Sequence, residues 1–129
     1  MILMPAVVYG GASILSLLVG DPAYAQNELR QDLWRAGHAH AGVLLVLALV
    51  TLRYVDEAAL PNGLKTLVRH SIPAAAVLLP VAFFLSALSP EATEPNAMIY
   101  LAYAGAVSLA VGLLVLGIGL IRTRRGGET

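Results

Sequence analysis

The chain has 129 residues, of which 58% are hydrophobic and 12% charged, a balance far from that of soluble domains and close to that of a multi-pass membrane protein. Eight Lys plus Arg cancel eight Asp plus Glu, so no net field points to nucleic acid, and the charges cluster between apolar blocks. There is no cysteine, which excludes disulfides, thiolate metal sites and a cysteine nucleophile and leaves His, carboxylate, Met or carbonyl oxygen for any metal.

A membrane helix needs about 20 mostly apolar residues to cross roughly 30 Å of hydrocarbon. Four blocks qualify, at about 2–20, 33–52, 71–88 and 97–121. They predict a single all-α domain over 1–129, with four transmembrane helices in a compact up-down bundle. The first block ends at "GDPAYAQ", whose Ala23 and Ala25 form the small-x-small pattern that signal peptidase favours, but "MILMPAVVYGG" lacks a positive leader region, so the block is read as a retained helix. The second opens on "WRAGHAHAG", residues 34–42. The third holds Pro73 near its start and Pro80 in its middle, where a lost backbone bond predicts a bend. In the fourth, 97–121, the tyrosines are the only titratable side chains.

Orientation follows from Lys and Arg in the short connections. Arg53, Lys65, Arg69, Arg122, Arg124 and Arg125 fall on one side, and only Arg30 and Arg35 on the other, with none in "SPEATEPN". Both termini are therefore expected in the cytoplasm, with 21–32 and 89–96 outside, in a plasma (inner) membrane. Lipid gives helices no hydrophobic reason to associate, so small residues must allow close approach. Ala12, Ser16 and Gly20 in the first helix, and Ala104, Ser108 and Gly112 in the fourth, each fall at steps of four on one face.

His38 and His40 are about 200° apart around a helix, so the pair alone does not grip one metal. His40 shares its side with Leu44, Leu47 and Thr51, and is expected to face the bundle. His38 shares its side with Arg35, Gly42 and Leu45, and is expected nearer the lipid boundary. His70 begins the third helix on the other side of the membrane and cannot complete the pair. Groups at the same end are Asp21, Tyr24, Glu91, Glu94, Met98, Tyr100 and Tyr103. They suggest a haem held by His38 or His40 with Met98, or a divalent metal held by His38, His40, Glu91 and Glu94; equally, Trp34 and the tyrosines can form a plain polar rim.

At "RAGHAHAGVLLVLALV" the chain resembles small four-helix bacterial membrane proteins in which a histidine-bearing motif opens the second helix. That helix is also distantly similar to the haem-ligating helices of haem–copper oxidase subunits. Those enzymes use six or more histidines, and three here imply no oxidase activity. Small multidrug transporters embed a glutamate in their first helix, and 2–20 holds no acid; small fluoride channels place an arginine motif after a Gly-rich first helix, and "GGAS" has no nearby Arg. The expected function is a non-enzymatic accessory or structural subunit, as a homo-oligomer or within a larger membrane complex. The alternatives are a haem or metal binder and a small transporter or channel with a proton-responsive histidine.

Overall fold

The computed structural model describes residues 3–126, and side chains through Thr123. Ile2, the expected start of the first helix, and the tail "GET" lie outside the described residues, as do the side chains of Arg124 and Arg125. The described chain is all-helical: α1 (Met4–Gly20), a short α2 (Pro22–Ala25), α3 (Glu28–Tyr54), α4 (Asn62–Ser86), a 3-10 turn (Ala97–Tyr100) and α5 (Leu101–Gly126). Three segments, Glu28–Tyr54, Asn62–Ser86 and Ala97–Thr123, are long and apolar enough to cross a membrane, and α1 is a shorter apolar helix. This is a small membrane protein.

Two helices begin earlier than their apolar runs. The Asn27 side chain accepts from the Arg30 N–H at 3.0 Å and Glu28 occupies the first turn, so α3 starts in polar sequence five residues before Leu33. Extended Pro61 starts α4 at Asn62, nine residues before Ser71. Hydropathy marks the hydrocarbon layer, whereas caps mark helix ends. At 25 residues α4 is about 37 Å long, and Lys65, Arg69 and His70 ride on its first turns. It stays one α-helix through Pro73 and Pro80.

Helix α4 is the common partner. It packs extensively along both α3 and α5, while α1 rests on α3 and has no buried residue. The chain is thus a three-helix unit with the shorter α1 laid against α3. At the far end, the 55–61 linker folds onto α5: Val55 and Ala58 are buried, the Ala59 N–H donates to the Gly119 carbonyl at 3.1 Å, and the Thr123 hydroxyl donates to the Glu57 carbonyl at 3.0 Å. Ion pairs of Arg53 with Glu57 and of Arg69 with Asp56 lie at that end and are exposed, so they add little stability.

The α4–α5 seam depends on missing side chains. A Cβ on Gly105 would stand 2.9 Å from Leu79 Cγ, and one on Gly112 would collide with Ser71 Oγ and sit 2.7 Å from Ile72 Cγ1. Between them the Ser108 hydroxyl donates to the Ser71 carbonyl at 2.9 Å. The seam departs from the expected stripe at one place: Ala104 is exposed and Gly105 takes its position. Seven residues fall about 20° from two full turns and eight about 80°, so Gly105 lines up with Gly112 and Ala104 does not. In α1 the expected stripe also turns away from the chain. Ala12, Ser16 and Gly20 are exposed, and α1 meets α3 through Gly10 and Gly11 instead.

Gly112→Leu forces a branched side chain into Ser71 and Ile72 and should destabilise the detergent-solubilised protein by about 1–3 kcal/mol. Ala104→Leu should leave thermal melting unchanged. Equal melting of the two variants would mean that the seam is not formed.

Candidate functional site

One face of α3 carries His38, Ala41, Leu45 and Ala48. Together with Leu3–Gly10 of α1 and Pro73–Phe84 of α4 it walls a cavity of about 340 Å3, half open to the surroundings and apolar except for the imidazole. That volume lies at the small end of the roughly 300–1,000 Å3 usual for ligand pockets. The ring edge of His38 meets α1 where α1 has no side chains: a Cβ on Gly11 would stand 2.8 Å from Nε2, and one on Gly10 would stand 3.8 Å from Nδ1. Glycine at 10 and 11 therefore makes room for the imidazole between the helices.

The other histidines are settled differently. His40 Nδ1 lies 2.7 Å from the Ala36 carbonyl oxygen, and its ring packs at 5.1 Å on Phe83 of α4. His70 Nδ1 lies 2.8 Å from the Thr66 carbonyl oxygen on an exposed turn. His38 alone makes no hydrogen bond to a described residue. The near-opposite directions expected for His38 and His40 are present, but both sides of α3 are covered, α4 taking His40 and α1 taking His38. His38, expected nearer the lipid boundary from its kinship with Arg35, packs against α1 and lines the open cavity. Arg35 sits 60° further round, exposed, and donates to Gln31 Oε1 at 2.8 Å.

The four residues expected to hold a metal are not brought together. Among the described residues, no three His, Cys, Asp or Glu side chains are grouped closely enough to hold an ion. Glu91 and Glu94 are exposed in the 87–96 loop, and Glu91 borders the Asn27–Glu28 turn, about 15 Å along α3 from His38. Met98 is exposed in the 3-10 turn. Haem ligation through His38 Nε2 would need the space beyond that nitrogen, which α1 fills.

A second cluster lies one and two turns before His38 on the same face. Arg30, Trp34 and His38 fall at steps of four, and α2 folds Tyr24 back onto the first two. The Arg30 guanidinium carbon is 4.7 Å from the Trp34 ring centroid and 5.6 Å from that of Tyr24. The Tyr24 and Trp34 rings are 5.5 Å apart, and Trp34 meets Phe84 edge-on at 6.0 Å. Arg30 is buried at 6% exposure, and its Nε donates to the Ala87 carbonyl at 3.2 Å. Burial pushes the Tyr24 phenol above its usual range, with Arg35 and Arg30 pulling the other way. The four-residue spacing was visible in the sequence; the return of Tyr24 across it was not.

Comparisons with protein-family models, with curated proteins and with solved structures find no match to this chain.

Proposed function

We propose that the protein is a non-enzymatic component of the plasma membrane that binds one amphiphile, a hydrocarbon chain with a single hydrogen-bonding head, in the α1–α3–α4 groove. The observation that carries this reading is His38, an imidazole with no protein partner among the described residues in an otherwise apolar cavity. An unpaired polar group in apolar surroundings is costly, and a ligand head that bonds it removes that cost. The long apolar wall suits the chain of the same molecule. A binding role without catalysis is supported by the other histidines, which bond only backbone carbonyls and are not paired with a nucleophile as general bases would be.

As an accessory subunit the protein would present the exposed Ala12 and Ser16 side of α1 to a second copy or to a larger membrane complex. The Lys/Arg distribution supports cytoplasmic termini and linker, with the His38 end of α3 outside. A haem or metal bound through His40 is the second reading, favoured by the Nδ1 contact with the Ala36 carbonyl, which leaves Nε2 as the lone-pair nitrogen. A visible absorption band in the purified protein that vanishes in His40→Ala would establish it over the groove. A transporter with a proton-responsive histidine has no comparable support.

Protein purified in mild detergent should carry a co-purifying amphiphile, found by extraction and mass spectrometry, and Ala41→Phe, which fills the groove, should empty it; retention at parental occupancy would sink the proposal. His38→Leu should weaken that binding about tenfold, yet melt at or above the parental temperature without ligand, because no protein hydrogen bond is lost. A clear drop in melting would mean that His38 serves packing instead. For topology, reporters within 57–61 and after Thr129 should read cytoplasmic and one within 91–94 external, and an external reading after Thr129 would invert the arrangement.

A further inference from the structure

We propose that Arg30, Tyr24 and Trp34 form a site for a phosphate group at the membrane surface, supplied by a lipid headgroup or by free phosphate. The site is separate from the His38 groove and does not depend on its occupant.

Arg30 is short of acceptors. A guanidinium has five N–H donors, and Arg30 uses one of them, Nε, on the Ala87 carbonyl. The ion pairs among the described residues, Arg53 with Glu57 and Arg69 with Asp56, are both at the opposite end of the helices, so Arg30 is a nearly buried cation without a counter-ion. Stacking on Trp34 and Tyr24 offsets part of its desolvation, and its terminal N–H groups, which are not among the fully buried atoms, stay open to an incoming acceptor. The two rings under it add two further donors: the Tyr24 hydroxyl and the Trp34 Nε1 are both buried and without a partner, and Tyr24 is fully inaccessible. Nearby acids do not meet the need. Asp21 is committed to capping α2, accepting from the Ala23 and Tyr24 N–H groups at 2.9 and 3.3 Å, and Glu28 and Asp32 are exposed.

One cation and two neutral donors in a single cluster call for a small group with several anionic oxygens. Phosphate supplies them, and arginine matches it with paired N–H bonds. The position fits as well. Arg30 is one turn before the apolar part of α3, where a spanning helix is expected to meet lipid headgroups.

The test uses the full chain in an uncharged detergent, with three probes: phosphatidylglycerol, diacylglycerol with the same chains, and inorganic phosphate. Phosphatidylglycerol should raise the melting temperature in a saturable way and diacylglycerol should not. If inorganic phosphate reproduces the rise, the ligand is the free ion; if only the phospholipid does, it is the headgroup. Tyr24→Phe and Trp34→Phe remove donors that have no protein partner, so each should melt like the parent without ligand and bind the effective probe roughly fivefold more weakly. Arg30→Gln should abolish the response. Equal effects of phospholipid and diacylglycerol with no effect of phosphate, or parental affinity in both ring variants, would overturn the proposal and leave the cluster as a water-satisfied clasp.

Discussion

Close approach of helices without side chains between them is the constraint on which this structure rests. In hydrocarbon an apolar side chain gains nothing by moving from lipid to protein, so contact must come from tight packing and from hydrogen bonds that need short distances. Gly105 and Gly112 let α4 lie against α5, closely enough for Ser108 to reach the Ser71 carbonyl. Gly119 admits Leu60 from the linker, Gly37 admits Phe83 and Phe84, and Gly10 with Gly11 admits the His38 ring. Side-chain amides then tie the ends. The Asn27 amide donates to the carbonyls of Pro90 and Ala92, and that of Asn96 donates to the Leu85 carbonyl, which holds the 87–96 loop down over the helix ends.

The same constraint produces both polar sites. A helix seated on another through glycine leaves a crevice beside the contact, and the groove next to Gly10 is such a crevice, lined by whatever α3 carries there. Along that line α3 carries Arg30, Trp34, His38, Ala41, Leu45 and Ala48, a gradient from cation through aromatic and imidazole to plain hydrocarbon. Membrane amphiphiles have the same gradient. The arrangement suits the proposed role of holding a molecule by its shape and polarity.

Hydropathy made the apolar blocks legible because hydrocarbon thickness imposes a length that composition reports directly. The helix starts at Glu28 and Asn62 were not legible that way, since Asn27 and Pro61 act outside the apolar runs. The α5 seam was half legible: Ser108 and Gly112 lie on it, but steps of four drift off a 3.6-residue turn, so Ala104 stands where Gly105 was needed. The rotation of α3 was the hardest part. Thr51 shares the His40 side and is buried, yet its hydroxyl donates to the Leu47 carbonyl within its own helix, so it says nothing of a partner across the interface. What gave His38 its surroundings was the docking of α1, and nothing local to "GHAHAG" encodes where another helix will lie. The burial of Tyr24 escaped for the same reason, since it depends on the α2 turn that folds the ring onto Arg30 and Trp34.

In the proposed role His38, alone among the three histidines, presents its ring to a ligand. Ring-nitrogen NMR of histidine-labelled protein in micelles, recorded as 1-decanol is titrated in, tests it directly, with each signal assigned by substitution. The His38 nitrogens should shift saturably as the alcohol bonds the imidazole, while His40 and His70, each held at Nδ1 by a carbonyl of its own helix, should stay still. A saturable shift at His40 with none at His38, or no shift at any ring, would contradict it.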